Sequence, residues 1–182
     1  MKVFGIDPGS ERTGYGCVET DGSRHRMIAS GAIRTAGHLP FPEKLLRIHI
    51  ALTELLADLN PDCVAIEGIS HAVNARSALK LGHARGVAML AAVEAGVTVV
   101  ECTPAEIKRA VVGYGRAEKQ QVQQMVKLIL GLDAPPASHD AADALAVAIC
   151  HVHSVTSRLP AGRSAARSRG AASWRQYQPV RS

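Results

Sequence analysis

The chain has 182 residues, 47% of them hydrophobic but only 3% aromatic, enough for one domain with a core of Ala, Val, Leu and Ile. No apolar run approaches the roughly twenty residues of a membrane-spanning helix, and the N-terminus enters a strand without the regions of a secretion signal, so the cytoplasm is the expected location. The net charge of +5 is unevenly placed: residues 157–182 hold six Arg and no acid, which leaves 15 basic against 16 acidic residues elsewhere and makes overall basicity a weak pointer to nucleic acid.

Lys2 to Ile6 is a short apolar run closed by Asp7, and Pro8-Gly9-Ser10 breaks the chain straight after it. The pattern predicts a strand that delivers a carboxylate to its end and turns back. Asp before Pro-Gly is also ordinary turn chemistry, and this stretch alone does not separate the two readings. Residues 2–7, 13–20 and 25–35 read as three strands, with Asp21-Gly22 as a hairpin turn. Sequential strands on short turns are expected to form an antiparallel meander.

After a loop at Gly37 to Pro40, Leu45, Ile48, Leu52, Leu55, Leu56 and Leu59 recur three or four apart, one face of a helix begun near Pro42. Asn60-Pro61-Asp62 ends it. Cys63 to Ile66 is a short, continuously apolar strand of the kind buried on both faces. Glu67 stands at its end, and Gly68 leaves the backbone room beside it.

Asn74 to Glu94 is a long helical stretch whose Gly82 and Gly86 would let another element approach closely, and Val97 to Glu101 is a fifth strand. Thr103-Pro104-Ala105-Glu106 joins a capping box to a Pro at the first helical position. The loop Val112-Gly113-Tyr114-Gly115 follows, flanked by Lys108 and Arg109 before it and by Arg116 and Lys119 after it. Val122, Met125, Val126 and Ile129 mark the next helix, and Pro135-Pro136 ends the connection. The last helix runs from Ser138 to about Thr156, with Ala141, Leu145, Ala148, Ile149 and Val152 as its buried stripe. Asp140 and Asp143 lie together at the edge of that stripe. From Ser157 onward no periodicity survives, so residues 157–182 are expected to be a basic, disordered tail on a domain of residues 1–156. Cys17, Cys63, Cys102 and Cys150 lie far apart, which points to buried free thiols rather than disulfides or a zinc site.

The order of elements predicts a five-stranded mixed sheet flanked by helices. If the first and fourth strands are parallel neighbours, Asp7 and Glu67 emerge at one edge. A helix packed across that edge then brings Asp140 and Asp143 beside them. Four carboxylates so close would raise one another's pKa unless cations occupied the site. All-oxygen ligands suit Mg²⁺ or Mn²⁺, and two such ions about 4 Å apart would activate a water and stabilise the leaving oxygen of a phosphodiester. Singly, each acid has a structural reading: Asp140 favours the helix dipole, and Asp143 pairs with a neighbouring base. The combination points to nuclease chemistry. Arg76, Lys80, Arg85, Lys108, Arg116 and Lys119 lie on segments that follow the acid-bearing strands, where they could hold phosphates.

Several blocks carry a resemblance. GIDPGS (5–10) with TGYG (13–16), IE (66–67), SALKLGHARGVAM (77–89), VVGYGRAEKQQVQ (111–123) and DAADALAVAI (140–149) resemble, in order across residues 1–155, the crossover junction endodeoxyribonuclease RuvC family. The resemblance implies an α/β, ribonuclease-H-like fold and a homodimer that resolves Holliday junctions with Mg²⁺ or Mn²⁺. Such an enzyme nicks two opposed strands, in recombination and repair, in partnership with the branch-migration proteins RuvA and RuvB. The family's catalytic, metal-holding carboxylates map onto Asp7, Glu67, Asp140 and Asp143, and its basic DNA contacts onto Lys108 and Lys119. Relatives carry an aromatic residue three positions after the second acid, where this chain has Ser70 in Glu67-Gly68-Ile69-Ser70-His71. Base–aromatic stacking contributes on the order of 1–3 kcal/mol, so this replacement bears on junction opening, with His71 or Ile69 as substitutes. Ser70, His71, Arg76, Lys80 and Arg116 complete the candidate DNA contacts.

Two rival readings are a phosphate-binding member of the actin and sugar-kinase group, which also opens on an Asp-x-Gly hairpin, and a junction-binding protein without catalysis. The first needs a second phosphate loop, a Gly-rich adenosine site and a longer chain. The set of four acids argues against the second.

Overall fold

The computed structural model describes residues 1–68 and 75–156. The opening meander forms as the turn signals predict. Strand β1 (Lys2–Asp7) pairs antiparallel with β2 (Arg12–Thr20), and β2 pairs antiparallel with β3 (His25–Arg34). The chain then crosses over through α1 (Phe41–Leu59), whose Ile48, Leu52 and Leu56 are buried in a single stripe. It returns as β4 (Cys63–Glu67), which lies parallel to β1 with Ile6 in register with Ile66. A second crossover, α2 (Ala75–Glu94), leads to β5 (Thr98–Cys102), parallel to β4, and completes a sheet of order β3-β2-β1-β4-β5. Three further helices follow: α3 (Pro104–Val112), α4 (Lys119–Ile129) and α5 (His139–Thr156).

The alternation of side chains along the strands divides the core in two. Phe4, Ile6, Val64 and Ile66 face α1 and the Ala84-Ala88-Ala91-Ala92 stripe of α2. Val3, Cys63 and Ala65 face α5, with α3 and α4 packed beside it. Asp7 and Glu67 continue the second set, so the strand period itself aims both carboxylates at the α5 side.

Glycines bring α5 unusually close to the sheet. A Cβ on Gly5 would strike the carbonyl of Ala144, one on Gly14 the carbonyl of Asp140, and one on Gly16 the side chain of Leu145. The helix therefore rests on bare strand backbone. The N-terminus of α5 is anchored by Ser138, whose Oγ accepts the Ala141 amide at 3.1 Å.

Among the described residues no other element closes on Gly82 and Gly86 of α2: no atom of another element lies within 4 Å of a Cβ built on either, and both glycines line an apolar surface groove with Leu45, Leu79 and Leu90. All four cysteines are free and buried, as expected. Ser70, His71 and the 157–182 tail lie outside the described residues.

Candidate active site

The site assembles where β1 and β4 end. Being parallel neighbours one residue past the Ile6–Ile66 pair, they present Asp7 and Glu67 side by side, and the two carboxyl groups are hydrogen-bonded to each other. The chain beyond Asp7 is held open by Thr13, a fully buried residue. Its hydroxyl donates to the Gly9 carbonyl at 2.7 Å and accepts the Gly9 amide at 3.4 Å. Pro8-Gly9 is thereby pinned back onto β2, away from the carboxylates.

From the facing side α5 contributes Asp143, and the N-terminus of α4 contributes Lys119, whose Nζ lies 3.3 Å from Asp143 Oδ2. The capping box at Thr103 and Glu106 starts α3 sharply at the end of β5 and carries Lys108 to the same place. Asp7, Glu67, Asp143, Lys108 and Lys119, with Pro104, Ile107 and Val122 as an apolar wall, line one cavity of about 150 Å³.

Asp140 is not among the residues lining that cavity. It sits one turn earlier on α5, about 60° around the helix from Asp143, and its carbonyl packs over Gly14, the register partner of Asp7. Arg76, Lys80 and Arg116 are exposed and stand away from the cavity lining, with Lys80 lying over the Phe41 ring at 5.9 Å. Arg85 does not present itself to a phosphate. Its side chain is only 15% exposed, its Nη2 lies 2.6 Å from Glu101 Oε2, and its Nε donates to the backbone carbonyl of Glu67 at 3.3 Å. Neither partner was visible from sequence spacing.

The electrostatics follow from three carboxylates in a partly buried cleft. Burial is the largest cause that pushes Asp7 up to about 8. The charge and hydrogen bond of Glu67 reinforce it, Asp143 adds further repulsion, and Lys119 opposes. Burial likewise holds Glu67 above the usual carboxylate range. Burial and mutual repulsion thus favour a proton shared by the pair. The charge of Asp143 raises Lys119 above an ordinary lysine.

This donor set is all oxygen, the chemistry of a hard divalent cation. Among the described residues no three His, Cys, Asp or Glu side chains converge as metal ligands do: Asp7 and Glu67 turn to each other, and Asp143 to Lys119. A proton and an ammonium thus supply the compensation that a cation can supply instead, so the residues fit a divalent metal in their chemistry.

The family model described as crossover junction endodeoxyribonuclease RuvC matches residues 3–151. A crossover junction endodeoxyribonuclease RuvC from Trichlorobacter lovleyi is 52% identical over 179 residues, covering 98% of this chain and all of that relative. Its counterpart in Syntrophotalea carbinolica is 54% identical over 153 residues, or 84% of this chain and 94% of the other. Among solved structures, Thermus thermophilus RuvC in complex with a Holliday junction substrate superposes with a TM-score of 0.82 at 37% identity, covering 86% of this chain and 96% of that one. The yeast mitochondrial Holliday junction resolvase, at 15% identity and a TM-score of 0.61, shares the fold. The architecture is ribonuclease-H-like, as expected. The chain thus matches in sequence from Val3 to His151 and in fold over most of its length, and it belongs to the crossover junction endodeoxyribonuclease RuvC family.

Proposed function

We propose that this chain is a Holliday junction resolvase, a homodimeric endonuclease that hydrolyses one phosphodiester in each of two opposed strands of a four-way junction during recombination and repair. The observation that carries the reading is the cavity itself: Asp7, Glu67 and Asp143 meet Lys108 and Lys119 where two parallel strands end. A scissile phosphate there finds cations to hold its oxygens and carboxylates that want compensation.

Asp7, Glu67, Asp140 and Asp143 are the carboxylates assigned to hold the metal, Mg²⁺ or Mn²⁺ and two ions per site. When bound, the ions supply a nucleophilic water and stabilise charge on the leaving oxygen. The chain's own residues do the rest. Asp7 and Glu67 would hold a cation in their ionised forms, without the proton they share. Asp143 must release Lys119, whose exposed side chain is then free to pair with a phosphate oxygen. Lys108 flanks the phosphate from α3. The apolar wall of Pro104, Ile107 and Val122 keeps bulk water off one side of the cleft.

The homodimer draws support from the α1–α2 face, where Leu45, Leu79, Val87 and Leu90 line an apolar groove and Leu79 and Leu90 are exposed. A twofold assembly suits a four-way junction, since each cleft can meet one of two equivalent strands. No helix among the described residues is long and apolar enough to cross a membrane; action on DNA in the cytoplasm is the location that family membership suggests. RuvA and RuvB are the partners that family membership suggests. Ser70, His71, Arg76, Lys80 and Arg116 remain candidate DNA contacts, and the Arg-rich tail adds non-specific affinity.

The test is nicking of a synthetic mobile junction in Mg²⁺ or Mn²⁺ by the chain and by Asp7→Asn. Binding should survive the substitution. The cleavage rate should fall by more than the about 10- to 100-fold that loss of a mere supporting residue costs. Wild-type cleavage by Asp7→Asn would overturn the assignment.

A further inference from the structure

The end of β4 is held by an unusual backbone contact. Glu67 is in register with Cys102. A parallel pair is joined through one of its two residues, and here that residue is Cys102, whose carbonyl accepts the Gly68 N–H at 2.8 Å. The Glu67 carbonyl lies on the opposite side of the same peptide unit and therefore points away from β5, towards β1. There the residue after Asp7 is Pro8, which has no amide hydrogen to offer.

The missing donor comes from another element. Arg85, on α2, gives its Nε–H to the Glu67 carbonyl at 3.3 Å, while its Nη2 is ion-paired at 2.6 Å with Glu101, one residue before Cys102. A guanidinium presents several N–H groups in one rigid plane, so it can hold a carbonyl and a carboxylate together; an ammonium on a flexible stem cannot fix both directions. Arg85 is largely buried and its partner Glu101 more than half exposed. The anchored side of this contact is therefore the arginine and the strand end.

We propose that Arg85 is a positioning residue for Glu67: it supplies the donor that Pro8 cannot, and so fixes the backbone from which the Glu67 carboxylate reaches the cleft. The inference rests on the reading of Glu67 as a catalytic carboxylate. Arg85 acts through the peptide, without touching DNA, and Glu101 acts by holding Arg85 in place.

The experiment uses the full chain and four variants, Arg85→Met, Arg85→Lys, Glu101→Gln and Glu67→Gln. Three quantities are measured: the single-turnover nicking rate on a mobile junction, junction affinity, and Mn²⁺ binding by electron paramagnetic resonance without DNA. Arg85→Met should slow nicking by about 10- to 100-fold, the cost typical of losing a supporting partner, with junction affinity unchanged and Mn²⁺ binding weakened. Arg85→Lys should recover part of the rate. Glu101→Gln should shift rate and Mn²⁺ affinity in the same direction by less. If Arg85→Met fails to fold by circular dichroism, Glu101→Gln decides, because its side chain is exposed and its loss leaves the core intact. Wild-type Mn²⁺ affinity in the folded variants overturns the proposal, whether the rate is unchanged or falls only with the folded fraction. Wild-type nicking by Glu67→Gln would instead overturn the reading of the site, whatever Arg85 does.

Discussion

The two faces of the sheet are built on different terms. On the α5 face the contact is backbone against backbone, with Gly5, Gly14 and Gly16 removing the side chains that would hold the helix off. On the α1–α2 face the contact is made by side chains, Phe4, Ile6, Ile48 and Leu52 among them. Beyond those buried contacts the two helices leave a rim of exposed Leu and Val. The first arrangement has almost no freedom in depth, which suits a face that must set carboxylates against one another. The second fills its core and still has apolar surface left for a further partner.

Matched glycine substitutions should separate the faces most sharply. Gly14→Ala drives a methyl group into the Asp140 carbonyl and should destabilise the fold by about 1–3 kcal/mol. Displacing α5 by about 1 Å should also slow nicking by about a hundredfold. Gly82→Ala, in an open stretch of helix, should shift stability by no more than about 1 kcal/mol, and upward. Thermal melts and junction nicking on the same preparations read both. Equal losses in the two variants would erase the distinction.

A charge on the apolar rim tests the other face. Leu90→Glu should leave the monomer folded and convert a dimer to a monomer in analytical ultracentrifugation. A variant that stays dimeric places the interface elsewhere.

The gentlest probe is pH in the absence of divalent metal. Asp7 has a folded pKa above its unfolded value, so its contribution is full below the unfolded value and is lost as pH rises through about 8. The melting temperature in chelator should fall between mildly acidic and alkaline pH. Asp7→Asn should flatten that fall, melting above the wild type at alkaline pH and level with it near pH 4. A steeper fall in the variant would contradict the buried-acid account.

Much of this was legible in the sequence because it is written in short-range patterns. Apolar runs closed by Asp7 and Glu67 mark strand ends, Thr103 to Glu106 spells a helix start, and the Leu stripe of α1 declares its buried face. The parallel β1–β4 pairing that unites the two acids was one possibility among others, since a crossover helix before β4 permits it without naming its neighbour. What stayed hidden was pairing between elements remote in sequence. Lys119 and Asp143 lie 24 residues apart, and Arg85 finds Glu101 and the Glu67 carbonyl only after two strands and a helix have docked. Arg85 looked like another surface cation because no periodicity announces a guanidinium turned inward. Asp140 and Asp143 share a helix edge, yet a rotation of about 60° separates the one that lines the cavity from the one that does not. Gly14 read as one residue of the 13–20 strand; its use as a bearing surface depends on a helix more than a hundred residues later.

Thr13 and the glycines beside it have a consequence for anyone wishing to retune this nuclease. Where a pocket is walled by side chains, its width can be adjusted a methyl group at a time. Here the distance between Asp7 and the helix bearing Asp143 is set by strand and helix main chains already in contact. Nothing remains to be trimmed, and anything added must move a whole helix. A wider or narrower cleft would have to come from the helices α3 and α4 that carry Lys108 and Lys119, so those lysines form the adjustable jaw of the site and the acids its fixed one.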